Sequence, residues 1–172
     1  QLHALYRQYH DVDYAVLTSM RRALTCITAV CLFASQVQAA ILMQISSVDD
    51  FNLPTWSLGD PAVNATMDLC IYSALSIPGG YGVTVTSAGG YVLKNGGNSI
   101  PYSLSWDDGG VGNLGNSYTP LTNGVNLSGR ARANIVSPVC LAGPNARLKL
   151  TISQSDMNAA LAGTYTGTIS IT

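Results

Sequence analysis

The sequence predicts an all-β fold, a sandwich of short strands. Three observations carry that expectation. Between Ala40 and Thr172, apolar residues alternate with Thr and Ser in short runs, the two-residue period of a half-buried strand. Gly, Asn and Pro separate those runs, supplying the backbone conformations that turns require. Charge is sparse and β-branched residues are many, which suits pleated strands better than helices.

Taken in order, the chain opens with a segment that does not belong to this pattern. "MRRALTCITAVCLFASQVQAA" (20–40) has Arg21 and Arg22 after a methionine, then a twelve-residue apolar run, Ala23 to Ala34, then small residues at Ala39 and Ala40. A basic end, a short apolar middle and a small-residue cleavage site make a secretory signal peptide. Twelve helical residues reach roughly 18 Å, short of the roughly 30 Å hydrocarbon core of a bilayer. We therefore expect residues 1–19 to be upstream translation, 20–39 a signal peptide, and 40–172 the folded domain, with residues 1–39 outside the fold.

With that boundary, both histidines (His3, His10) and two cysteines (Cys26, Cys31) leave the domain. Five basic residues remain (Lys94, Arg130, Arg132, Arg147, Lys149) against seven aspartates and no glutamate, a net charge of 5 − 7 = −2. Such a balance excludes the basic footprint of a nucleic-acid partner. About 130 residues suit one domain with a single core. Cys70 and Cys140 survive as a pair, and in an oxidising compartment a pair in a small exported domain is a disulfide. A metal site would need further His or Cys ligands, which the domain lacks.

The strands follow. "ILMQISS" (41–47) is apolar with partial alternation, and Pro54 breaks "VDDFNLPTW" after it. "ATMDLCIYSA" (65–74) sets Met67, Leu69 and Ile71 against Thr66 and Asp68. "YGVTVTSAGG" (81–90) alternates Val83 and Val85 with threonines and ends in a Gly-Gly turn. "YVLKNGG" (91–97) ends in Asn-Gly, a strong hairpin signal. "SIPYSLSWDDGG" (99–110) puts Tyr102 and Leu104 on one face, and glycine and asparagine then predict a long loop from Val111 to Asn126. "ARLKLTIS" (146–153) places Leu148, Leu150 and Ile152 on one face. "SDMNAALAG" (155–163) predicts one or two helical turns capped by Ser155 and stopped by Gly163. "GTYTGTISIT" (163–172) turns Tyr165, Ile169 and Ile171 inward. Six or seven strands spaced in this way describe a β-sandwich.

Catalytic readings fare poorly. "GVGNLG" (Gly110, Gly112, Gly115) matches a dinucleotide fingerprint, but "NSYTPLTNG" after it is not the helix whose N-terminus would hold a pyrophosphate. Asp49-Asp50 and Asp107-Asp108 are adjacent doublets whose side chains point to opposite faces, so neither doublet is itself an acid–base pair; a pairing across the two doublets stays open beside the ordinary turn chemistry of Asp-Asp-Gly-Gly. A serine or cysteine triad has no histidine in the domain. We expect no catalytic residue, no metal and no cofactor. Trp56, Trp106 and Tyr118 are candidates for a surface that binds sugar, the alternative being that the aromatic residues fill the core. The sequons at Asn64 and Asn126 matter only in a eukaryotic secretory route.

"FNLPTW" (51–56), "MDLCIYS" (67–73), "YGVTVTSAGG" (81–90), "IPYSLSW" (100–106) and "GTYTGTISIT" (163–172) occur in the order seen in the spore coat protein U domain family, which the chain resembles over nearly all of residues 40–172. The resemblance implies a pilus subunit of the archaic chaperone–usher type, exported through the periplasm to the cell surface and linked to adhesion and biofilm formation. Its fold would be an incomplete immunoglobulin-like β-sandwich, lacking a final strand and completed by a donor strand from a periplasmic chaperone and then from a neighbouring subunit. An outer-membrane usher would be a further partner, and a host or abiotic surface the target.

On that reading the donor-strand groove has one wall of Ile41, Met43 and Ile45 and another of Tyr165, Ile169 and Ile171. The sequence departs from the family in having no cysteine between Ala40 and Cys70 and little chain ahead of its first strand. A subunit that accepts a strand without donating one, at the tip of the pilus, is the expectation. The alternative function is a self-contained secreted carbohydrate-binding β-sandwich.

Overall fold

A computed structural model describes residues 2–4, 43–74 and 80–172; the signal peptide expected at 20–39, the cleavage site expected after it and Ile41 lie outside the described residues. In chain order the elements are β1 (Leu2–Ala4), β2 (Met43–Ser46), β3 (Val63–Ser73), β4 (Tyr81–Val83), β5 (Val85–Thr86), β6 (Val92–Asn95), β7 (Asn98–Pro101), β8 (Ser103–Asp107), β9 (Thr119–Pro120), β10 (Leu127–Arg130), β11 (Ala146–Ile152), α1 (Gln154–Ala159) and β12 (Gly167–Ile171).

The first layer is a five-stranded antiparallel sheet in the order β2-β3-β11-β8-β9. Its centre is built on strict alternation. Ala146, Leu148, Leu150 and Ile152 of β11 are buried, while the residues between them are half-exposed. β11 pairs with β3 from Ala146↔Leu69 to Ile152↔Val63, and with β8 from Arg147↔Asp107 to Thr151↔Ser103. A one-residue slip would turn this whole apolar set outward, so the register is firmly specified. On the outer face the Arg147 guanidinium makes a fork-like pair with the Asp68 carboxylate across the β11–β3 ladder.

The second layer is more broken. β4 pairs with β10, β5 with β12, and β6 with β7. β4 and β5 are one strand in all but the residue between them, since Tyr81, Val83 and Val85 keep a single inward phase and Thr84 exchanges backbone hydrogen bonds with Thr172. The β6–β7 hairpin turns through Gly96-Gly97, as Asn-Gly predicts, and Lys94 pairs with Thr166 just ahead of β12. One hydrophobic cluster joins the layers, with Leu69, Leu104, Trp106 and Leu148 from the first and Tyr81, Val83, Leu93 and Ile169 from the second. The Cys70–Cys140 disulfide is formed, with 5.6 Å between the Cα atoms.

Four expectations need correcting. The helix is capped by Ser153, not Ser155: Ser153 has extended backbone and its hydroxyl accepts from the Asp156 N–H at 3.1 Å. It stops at Ala159, ahead of Gly163. The long loop after Val111 is interrupted by β9, where Thr119 and Pro120 pair with Trp106 and Ser105. Finally, residues 2–4, expected outside the fold, form β1 against β12.

Candidate functional site

The first sheet ends at β2, an edge strand that pairs with β3 through Met43↔Ser73 to Ser46↔Cys70. In the second layer β12 pairs with β5 on one side; its other side meets only β1, in parallel register from Leu2↔Gly167 to Ala4↔Ile169, among the described residues. An unpaired strand edge carries a row of N–H and C=O groups that accept another strand, and this one has taken up a segment from far away in the sequence. β2 and β12 are thus the two edges of an unfinished seam between the layers.

A cavity of about 220 Å³ opens along that seam, lined by Met43 and Ile45 of β2, Ile71 of β3, Tyr81 and Val83 of β4, and Ile171 of β12. No lining residue is charged. Three of the residues expected to form a groove therefore come together. Met43 is 47% exposed and Ile45 and Ile171 are half-buried, although all three are apolar. Ile169, two residues earlier on β12, is wholly buried and belongs to the core.

Tyr165 departs from the expectation. It shares the parity of Ile169 and Ile171 but precedes β12, and its hydroxyl donates to the Leu161 carbonyl at 2.9 Å. It lines a second cavity, of about 590 Å³, at the opposite end of β3, together with Leu53, Trp56, Leu93, Ile100 and Leu161. Ile41 lies outside the described residues.

The aromatic candidates separate. Trp106 is fully buried: its Nε1 donates to the Tyr81 hydroxyl at 3.0 Å and the rings meet edge to face at 6.3 Å. It is a core residue, which corrects the surface reading, and burial pushes the Tyr81 hydroxyl well above the ordinary tyrosine range. Tyr118 is half-buried beneath the Lys149 ammonium, 5.2 Å from its ring centre. Trp56 is half-buried on the second cavity and donates to the Pro61 carbonyl.

The Asp107–Asp108 doublet braces a loop, whereas Asp49 and Asp50 lie in an irregular stretch without a turn, the Asp49 carboxylate accepting from the Asp50 N–H. Asp107 is buried, and its carboxylate accepts from the backbone N–H groups of Gly109, Gly115 and Asn116. Gly110, Gly112 and Gly115 all take positive φ, so the apparent dinucleotide fingerprint wraps the protein's own carboxylate. Sequence reasoning placed Asp107 in a turn but missed its role as the loop's anchor; an Asp followed by four glycines within eight residues was the available signal. Asp108 accepts from the Ala131 N–H and pairs with Arg130. Among the described residues no cluster of His, Cys, Asp or Glu is arranged to hold a metal ion.

No protein-family model matches the chain, and no curated protein matches it. Among solved structures it is similar to a chain of a chaperone–tip adhesin complex vital for synergistic activation of CFA/I fimbriae biogenesis, at 22% identity with a TM-score of 0.50. The match covers 76% of this chain and 40% of the neighbour, so this chain spans less than half of that protein's length. At such identity the likeness concerns the fold, and it agrees with an immunoglobulin-like sandwich.

Proposed function

We propose that the chain is an exported fimbrial subunit, of the spore coat protein U domain type, that is completed by a strand from another protein. The observation that carries this reading is the seam: an uncharged apolar cavity between β2 and β12, whose outer edge meets, among the described residues, only the remote segment β1, with half-exposed Met43, Ile45 and Ile171 around it. Strand addition supplies backbone hydrogen bonds to the β12 edge while alternate side chains fill the cavity. A periplasmic chaperone and then a neighbouring subunit are the donors on this reading, with an outer-membrane usher passing the complex to the cell surface. The fimbrial context of the structural neighbour supports the same class of partner.

A minor or tip position serving adhesion and biofilm formation fits the use of β2. Met43–Ser46 is part of the body's own sheet, so processing after Ala39 leaves three residues ahead of it, too few for a donor strand. The role is non-catalytic on this reading, which is supported by the engagement of Asp107 and Asp108 in loop contacts, Asp68 in the ladder pair and Asp156 at the helix cap. The carbohydrate-binding alternative is not favoured, because Trp106 is withdrawn into the core.

Mixing experiments test the proposal. A synthetic extension peptide from a shaft subunit should bind this protein and raise its Tm, while a peptide of its own residues 40–50 should fill no other subunit's groove. Failure of the first removes the acceptor role; success of the second moves the protein into the shaft.

A further inference from the structure

The Cys70–Cys140 disulfide joins two sulfurs in unlike surroundings. By the two-residue period of β3, Met67, Leu69 and Ile71 face the core, while Cys70 faces the opposite way with exposed Thr66 and Asp68. Cys70 is nevertheless only 2% exposed. The loop from Asn134 to Asn145 covers it. At one end the Asn134 N–H donates to the Ile71 carbonyl and the Ser73 N–H to the Asn134 carbonyl. At the other the Asn145 N–H donates to the Leu69 carbonyl, and the Asn145 side-chain amide exchanges hydrogen bonds with the Ile71 backbone. Between these anchors the loop forms a bulge that exposes Val136 and Leu141, 86% and 88% accessible, and sets the Pro138 carbonyl 3.8 Å from Cys70 Sγ.

Cys140 is half-buried and lines an open cavity of about 390 Å³ with Val111, Arg132, Asn134 and Gly143. Cys70 is not part of that lining, and Arg132 is its one charged member among the described residues. A reagent in water can therefore reach Cys140 while Cys70 stays covered. The thiolate is the reactive form of cysteine; a nearby cation and contact with water favour it, and burial disfavours it. Access and ionisation both select Cys140. The anchors at Asn134 and Asn145 are hydrogen bonds that do not involve sulfur, so they place the loop before the bridge is made.

We infer that Cys140 is the entry thiol through which a disulfide oxidant closes this bridge on the folded domain. In the first step the Cys140 thiolate, its proton lost to water, attacks one sulfur of the oxidant's disulfide. A mixed disulfide forms at Cys140, and the oxidant's other sulfur leaves as a thiolate. In the second step Cys70 loses its proton and attacks Cys140 Sγ, and the oxidant's remaining sulfur leaves. Two electrons pass from the cysteine pair to the oxidant, and the two released protons end on its two thiols. Cys70 needs no access to water, because the only sulfur it meets is that of Cys140. The sheet can thus form first and the bridge close over it afterwards. This goes beyond strand complementation, since no step involves the seam at Met43 and Ile171.

Single substitutions test it, in the chain that starts at Ala40 and holds no other cysteine. Cys70→Ser and Cys140→Ser lose the same bridge, so their stabilities fall together. With oxidised glutathione in native buffer, Cys70→Ser, which keeps Cys140, should form the mixed disulfide about tenfold or more faster than Cys140→Ser, which keeps Cys70. In denaturant the two rates should meet. Equal native rates in variants that retain the near-ultraviolet signal of buried Trp106, or a faster Cys70, would overturn the inference. The unsubstituted chain gives a second reading that does not depend on how either variant folds, because exchange retraces the same path in reverse. Native oxidised protein treated with excess reduced glutathione, and quenched with iodoacetamide during the reaction, should carry glutathione on Cys140 and the alkyl group on Cys70. Glutathione on Cys70, or no adduct until the protein is unfolded, would equally overturn it.

Discussion

The two layers of this sandwich are built from similar residues and finished to different degrees. In the first, β11 is flanked by β3 and β8, and Leu148 and Leu150 are inaccessible. In the second, β12 is paired only in part on either side, with β5 at Ser170 and Ile171 and with the remote segment β1 at Gly167–Ile169, and within two residues its side chains pass from buried Ile169 to half-exposed Ile171. The sequence pattern is the same alternation in both. What differs is how much of each edge a neighbouring strand covers, and that is a property of topology rather than of any residue. A layer one strand short leaves apolar side chains and backbone groups in water, a cost that a donor strand removes.

The sealed region should dominate stability. Replacing Cys70 and Cys140 by Ser opens a loop of 70 residues in the unfolded chain. It should cost about 4 kcal/mol on the chain-entropy view, read as a lower midpoint in chemical denaturation. Leu148→Ala, which empties a fully buried site between two paired strands, should cost about 3 kcal/mol. Asp107→Asn removes a charged acceptor from three backbone donors and should cost about 2 kcal/mol, with faster amide exchange confined to residues 109–116. If Asp107→Asn were silent, the glycine loop would not depend on its carboxylate.

Alkaline pH probes the core from the second layer. Burial pushes the Tyr91 hydroxyl up to about 12, and it raises that of Tyr81 as well. Unfolded tyrosine ionises near pH 10, so the fold holds these protons more tightly than the unfolded chain does. Their contribution is complete below about pH 10 and declines as pH rises toward 12. Denaturation midpoints measured from pH 8 to 11.5 should fall above pH 10, and Tyr91→Phe should reduce the slope. The smallest effect is expected at the open edge. Ile171→Ser should cost under about 1 kcal/mol in the isolated chain, whereas Ile169→Ser, one inward position away, should cost several times more.

Legibility followed the same division. β3 and β11 could be read from sequence because one face of each is buried and the two-residue period is unbroken. Trp106 shares the parity of Tyr102 and Leu104, so its burial was also legible, but its indole invited a surface role. Tyr165 was misplaced for the converse reason: parity carries no information once the strand has ended, and β12 begins two residues later. The cap falls on Ser153, two residues ahead of the expected Ser155, because the backbone of Ser153 is extended and its hydroxyl reaches the Asp156 N–H. The anchoring of the loop by Asp107 runs through backbone donors, so its trace in the sequence is the run of glycines after Asp107 and not any polar side-chain partner. The pairing of Cys70 with Cys140 was legible by count, whereas the exposed bulge it ties down was not, since Val and Leu in sequence look like core.

Backbone hydrogen exchange along β12 tests the unfinished seam most directly. In a chain that starts at Ala40 and so lacks β1, the N–H groups of Gly167–Ile171 that face away from β5 should exchange quickly, while those of Leu148 and Leu150 stay protected. Adding a synthetic strand of alternating apolar residues should protect the β12 edge and leave β11 unchanged, and Ile171→Asp should abolish that protection. Full protection of every β12 N–H before any peptide is added would show that the sandwich is already complete and would contradict the account.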